Sequence, residues 1–119
     1  MKIAVSSTGP ALDSPVDPRF GRAAYLLIVD ADTLAVEVVD NAANVNAFKG
    51  AGIQAATLLC DKKADVLLTG YCGPNAFKTL AAARIKVAGE VAGTVREAVA
   101  AFAAGKVDFV SAPNVQGHW

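Results

Sequence analysis

Soft metal ligands are scarce in this chain. It has two cysteines, one histidine and one methionine among 119 residues. Cys60 and Cys72 are too far apart for a CxxC pair and make no zinc pattern with His118, so a structural metal is not expected. A reducing cytoplasm suits so few thiols. A single histidine, next to the last residue, assembles no Ser-His-Asp or Cys-His arrangement, which argues against a hydrolase. Net charge is missing too. Eleven basic and eleven acidic residues cancel, so no global field favours nucleic acid. No run approaches the roughly 20 apolar residues that span a membrane. The opening reads as a strand with one Lys, unlike the charged and apolar regions of a signal peptide.

What the chain does have is 54% hydrophobic residues, much of it alanine. That composition suits helices packed closely on a sheet, in one domain by the size prior. Such a length buries a core without disulfides. Ile3-Ala4-Val5 reads as a short strand. Residues 6–22 hold Gly9, Pro10, Pro15, Pro18 and Gly21, so a long loop follows, and loops of that length are usually functional or disordered. Tyr25–Asp30 and Leu34–Asn41 read as a hairpin, with Leu34, Val36 and Val38 on one side and Glu37 on the other. A polar loop from Asn41 to Gly52 leads to a helix over about Ala51–Lys62, with Ile53, Ala56, Thr57 and Cys60 on one face. Val66–Thr69 and Ile85–Ala88 read as strands on either side of a helix that starts at Pro74. The last helix, Thr94–Ala104, shows the clearest amphipathic spacing, with Thr94 as N-cap and Gly105 as its stop. The order is β-β-β-α-β-α-β-α, an α/β fold with a five-stranded mixed sheet. Right-handed crossovers put the hairpin on one side of the first strand and the last two strands on the other. The crevice then lies beyond the carboxyl ends of the first and fourth strands.

Residues 70–75, Gly70-Tyr71-Cys72-Gly73-Pro74-Asn75, sit at that crevice. A strand tip feeding a helix N-terminus through glycines offers open amides and the positive end of the helix dipole, a cradle for an anion. An ordinary βα turn would carry the same glycine and proline. No Walker lysine follows, which disfavours a nucleotide phosphate loop. Cys72 could be a thiolate stabilised by the helix start and ligate a soft metal, or simply fill the turn. Cys60 is assigned to the core. Arg19 and Arg22 flank Phe20-Gly21 and suit an oxo or sulfido anion, or pair with Asp13 or Asp17. Asn44 and Lys49 are weaker candidates for the same rim. Between Asn41 and Gly89 six basic residues outnumber two acidic ones. Lys62, Lys63, Lys78 and Lys86 read as solvated surface. His118 and Trp119 could fold over the crevice and shield a ligand.

Two motifs carry a family resemblance. Asp17-Pro18-Arg19-Phe20-Gly21-Arg22, following Met1-Lys2-Ile3-Ala4-Val5-Ser6, resembles the "D-x-R-F-G-R" loop of the dinitrogenase iron–molybdenum cofactor biosynthesis family. Gly73-Pro74-Asn75-Ala76-Phe77, with Ile85-Lys86-Val87 after it, resembles that family's second signature. The similarity spans roughly residues 1–106 and leaves 107–119 as a C-terminal tail. Within the family, the Cys72 loop and the Gly117-His118-Trp119 end most resemble the orange proteins of sulfate-reducing bacteria. The resemblance implies an RNase H-like sheet and a site at the Cys72 cradle. It also implies a molybdenum–copper sulfide cluster, or a related molybdenum or iron–sulfur cluster, held without protein–metal bonds. Cys72 would then donate a hydrogen bond. Family members often carry histidine near a ligand loop, and the central loops here have none. Asp13, Asp17 and Asp40 could be imagined as a nuclease metal cluster of that fold, but the first strand, Ile3-Ala4-Val5-Ser6-Ser7, lacks the acid such a site needs.

The expectation is therefore a non-catalytic carrier for an anionic molybdenum-containing metal–sulfur cluster, with partners in cluster delivery or a redox complex and none in nucleic acid or membrane. The rival is a cofactor-free interaction domain of a redox or cell-division complex. Colour separates the two.

Overall fold

The structure, a computed structural model, describes residues 1–41 and 51–112. Five strands make one sheet: β1 (Lys2–Ser7), β2 (Tyr25–Asp30), β3 (Val36–Asp40), β4 (Val66–Leu68) and β5 (Lys86–Ala88). Among the described residues three helices accompany them, α1 (Ala51–Asp61), α2 (Pro74–Ala82) and α3 (Val95–Ala103), with a 3-10 turn at Phe20–Arg22. The strand order is β3-β2-β1-β4-β5. β2 is antiparallel to both β1 and β3, while β1, β4 and β5 are mutually parallel, so only β2 runs against the rest. This is the order and layout that the sequence leads one to expect.

Each face of the sheet has its own core. Ala4, Leu26, Ile28, Leu67 and Val87 meet α1 and α2 on one face. Ile3, Val5, Leu27, Val29 and Leu68 meet α3 on the other. Strands covered on both faces are apolar at consecutive positions, as in Ala-Val of β1 and Val-Leu-Leu of β4. β3 is an edge strand and differs. Only Val39 is buried, and Val38 is exposed. Leu34 is not part of that strand, because it takes a left-handed backbone (φ 62°) in the hairpin turn. Asp30 builds this turn. Its carboxylate accepts the amides of Asp32 (2.8 Å) and Thr33 (3.0 Å), and those bonds hold its pKa below the usual carboxylate value.

The buried face of α1 departs from expectation. It consists of Ala51, Ala55, Ala56 and Leu59, while Ile53 is 41% exposed and Thr57 points outward. Alanines let the helix approach the sheet and α2 closely, whereas a branched Ile at the contact would hold it off. The outward Thr57 hydroxyl donates to the Ile53 carbonyl at 2.9 Å. Cys60 is half-buried at the margin of this core. Neither Lys62 nor Lys86 is simply solvated. Lys62 pairs with Glu37 and lowers its pKa, and the Lys86 ammonium lies 5.5 Å from the centre of the Phe109 ring.

The segment after α3 belongs to the fold beyond residue 106. Val107 and Val110 pack on the two cores, and Phe109 bridges Ala88 in antiparallel sense. With the Val110 amide on the Val87 carbonyl (2.8 Å), the chain there runs toward the start of β5. That direction leads away from the carboxyl ends of the parallel strands. His118 and Trp119, expected over the crevice, lie outside the described residues.

Candidate functional site

The site forms where the loops after β1 and β4 leave the sheet in opposite directions. Residues 8–19 are tied down along their length. The Thr8 amide donates to the Pro15 carbonyl, Asp17 to Ser6 and Val16 to Gly93. The Ser6 hydroxyl donates to the Asp17 carbonyl at 2.6 Å and stands 2.7 Å from the Thr69 hydroxyl, joining the ends of β1 and β4 beneath the loop. Farther on, the loop pairs with the cradle in a short parallel bridge between Arg19 and Tyr71. The Tyr71 amide donates to the Pro18 carbonyl at 2.6 Å, and the Phe20 amide to the Tyr71 carbonyl at 3.3 Å. Gly70 allows this pairing, since a Cβ there would stand 2.7 Å from Pro18. It lets the two loops touch.

Glycines also bring the 3-10 turn onto α1. A Cβ on Gly21 would lie 2.8 Å from the Gly52 backbone, and one on Gly52 would lie 3.2 Å from the Ala76 Cβ. Turn, α1 and α2 thus meet at close range. Buried Asn41, at the end of β3, fixes the turn from behind. Its amide donates to the Ala23 carbonyl at 2.8 Å and reaches the Gly21 carbonyl at 3.4 Å.

A cavity of about 310 Å³ opens where these three elements converge. The turn contributes Phe20, Gly21 and Arg22, and α1 contributes Ala51, Gly52 and Ile53. Tyr71 and the start of α2, Gly73 to Ala76, complete it. No side chain caps α2, Pro74 has no amide hydrogen, and the amides of Asn75 and Ala76 meet no acceptor among the described residues. First-turn amides need a partner from outside the helix. The start of α3 is different. Its Val95 and Arg96 amides donate to the carbonyls of Ser14 (2.9 Å) and Leu12 (2.8 Å), and Thr94 and Glu97 close a capping box. Of these two helix starts, α2 alone faces a cavity with amides to offer. Gly73 keeps that space clear. Its backbone is extended (φ −69°), which any residue adopts, and a Cβ there would meet nothing within 4 Å.

The residues expected at this site are divided by the structure. Phe20, Gly21, Arg22, Tyr71, Gly73, Pro74 and Asn75 line the cavity. Arg19 does not. Its exposed side chain lies 3.8 Å from the Asp17 carboxylate, which also accepts the Arg19 amide at 3.0 Å. Cys72 does not line it either. The side chain is fully buried in the core beneath α1 and α2. Burial pushes its pKa up from 9.0 to about 12, so the thiolate imagined at this helix start is a neutral thiol. The rim candidates Asn44 and Lys49 lie outside the described residues. Reading the sequence missed Ala51, Gly52, Ile53 and Ala76, together with Asn41 behind the turn. The glycine in the first turn of α1 was the one visible hint, since glycine in a helix is costly without a packing reason. Among the described residues, no three His, Cys, Asp or Glu side chains group as a metal site.

Comparison with known proteins bears on this geometry. The model of the dinitrogenase iron-molybdenum cofactor family matches residues 1–105. The apo orange protein from Desulfovibrio gigas is 52% identical, with a TM-score of 0.93 over 96% of both chains. A Thermotoga protein proposed to be NifB is 36% identical, with a TM-score of 0.83 over 98% of both chains. A Methanocaldococcus jannaschii protein proposed to be a dinitrogenase is 17% identical, with a TM-score of 0.71 over 95% of this chain and 97% of the other, a likeness of fold alone. No curated protein matches the chain.

Proposed function

The chain belongs to the dinitrogenase iron-molybdenum cofactor family, and from that premise we propose that it carries an anionic metal–sulfur cluster, molybdenum with copper or iron, in the cavity between the turn, α1 and α2. One observation carries the reading. The uncapped start of α2 turns its Asn75 and Ala76 amides toward a cavity that Gly73 leaves clear and Arg22 lines. Amides at the positive end of a helix replace water around an anion without a covalent bond. The Arg22 guanidinium adds charge and planar donors.

A cluster held this way needs no protein ligand to the metal. That agrees with the neutral, buried Cys72. The chain's residues bind and orient the cargo and keep water from part of its surface, and no catalytic step is assigned to them. Its work is to hold the cluster and pass it on.

Titration of the apo-protein with tetrathiomolybdate, alone and with copper, tests this. A coloured species near one equivalent should survive desalting. Arg22→Ala should weaken retention about ten-fold or more, since hydrogen bonds to charged groups contribute about 1.5–3 kcal/mol. Arg19→Ala should leave it nearly unchanged. Colour that washes through with the small molecules would remove the reading and favour the cofactor-free interaction domain. Equal losses from the two arginines would mean that charge alone matters and that the cavity is misassigned.

A further inference from the structure

Among the described residues, Ile53 takes no part in the packing of α1. α1 packs through Ala51, Ala55, Ala56 and Leu59. Ile53 lies off that face, 41% exposed, on the cavity wall. A branched apolar side chain is a poor choice for an exposed helix position, where straight-chain or polar residues are better tolerated. Its neighbours on the same wall, Ala51 and Gly52, carry no polar side-chain atom either. Hydrogen-bonding side chains come from elsewhere, as Arg22, Tyr71 and Asn75. The cavity therefore combines polar donors with an apolar wall whose bulk is the Ile53 side chain.

Resting on the cluster reading above, we propose that Ile53 is the specificity-determining residue of this cavity and sets its preference for sulfur-clad over oxygen-clad metal anions. Amides and Arg22 attract any anion of suitable size, and as hydrogen-bond donors they do not favour sulfur over oxygen. An oxoanion concentrates charge on small, strongly hydrated oxygens. Against Ile53 it gives up water and receives no hydrogen bond in return. A thioanion spreads its charge over large, polarisable sulfurs. It sheds water at lower cost and gains dispersion contacts with the Ile53 methyl groups. Specificity is the difference between the two affinities, and Ile53 supplies that difference.

The test compares tetrathiomolybdate with molybdate, each titrated calorimetrically into the full chain and into Ile53→Val, Ile53→Ser and Ile53→Leu. Wild type should hold tetrathiomolybdate about ten-fold or more tighter than molybdate. Ile53→Ser should weaken tetrathiomolybdate about ten-fold, as expected for losing roughly half a side chain of apolar contact. Molybdate binding should stay level or tighten, so the ratio collapses. Ile53→Val should fall between, and Ile53→Leu should restore the ratio. A role in folding alone would weaken both anions together and leave the ratio untouched, which overturns the proposal. So would an unchanged ratio in Ile53→Ser. Should Ile53→Ser melt too early to titrate, the Val and Leu variants decide by the same ratio. Failure of the cluster reading itself is seen separately, as wild type retaining neither anion.

Discussion

The two cysteines divide by burial, and that division decides what each can do. Cys72 is fully buried with its pKa pushed up to about 12, and Cys60 sits half-exposed at the margin of the same core. A thiolate is the nucleophile, so iodoacetamide at mildly alkaline pH should modify Cys60 in the folded protein and spare Cys72, as read by mass spectrometry of the digest. Modification of Cys72 first would mean that its side chain reaches solvent as a thiolate after all. The raised pKa also fixes a pH dependence. Between 9.0 and about 12 the unfolded chain has lost the Cys72 proton while the folded chain keeps it. Stability from this group is therefore complete below pH 9.0 and is lost as pH rises through the folded value. The gap in urea midpoint between wild type and Cys72→Ala should shrink across that window. None of this was legible from the loop's residues. A cysteine beside a helix start reads the same whether it turns out to the cavity or in to the core, and only packing decides.

At the scale of elements, the helix ends show which sequence signals are dependable. The three described helices close in the same way. The amides of Lys63 and Ala64 return to the carbonyls of Cys60 and Leu59, those of Arg84 and Ile85 to Ala81 and Leu80, and those of Gly105 and Lys106 to Phe102 and Ala101. Each closure needs a left-handed residue, and φ is 58° at Lys63, 62° at Arg84 and 71° at Gly105. Only the third uses glycine, so only the third stop was marked in the sequence. The other two accept backbone strain and gain a cation beside the helix's negative end. Gly105→Ala should therefore cost about 1 kcal/mol in urea unfolding, purely from conformation, because a Cβ there meets nothing within 4 Å. Arg84→Gly should stabilise by less than that, since relief of strain is offset by loss of the charge. An Ala variant as stable as wild type would show that the closure does not hold the backbone at this angle. Periodicity alone located α1 but chose the wrong face. It ranked Ile53 as core because size and hydrophobicity weigh more in a pattern than the close approach that alanine allows.

Over the whole molecule, strand order and the position of the crevice were legible because connection rules leave few layouts for this order of elements. Which residues line the crevice was not, because the contacts that shape it run between distant segments. Gly21 against Gly52 and Gly70 against Pro18 have no local signature. The assembled cavity makes a distributed prediction. Since turn, α1 and α2 each supply part of it, an anion bound there ties together three elements that meet through glycine-mediated contacts. At about 100 times Kd, ligand linkage alone adds about 2.7 kcal/mol of stability and slows every amide that exchanges by global opening. Beyond that uniform factor, hydrogen exchange followed by NMR with tetrathiomolybdate should show extra protection at Asn75 and Ala76. Their amides gain an acceptor that they lack among the described residues. Val95 and Arg96 should show none, because the carbonyls of Ser14 and Leu12 already hold their amides. The turn between β2 and β3, at the opposite end of the hairpin from Asn41, should follow the uniform factor as well. Extra protection at α3 in place of α2 would move the site to the other face of the sheet, and Arg22, Ile53 and Gly73 would then lose their roles in binding.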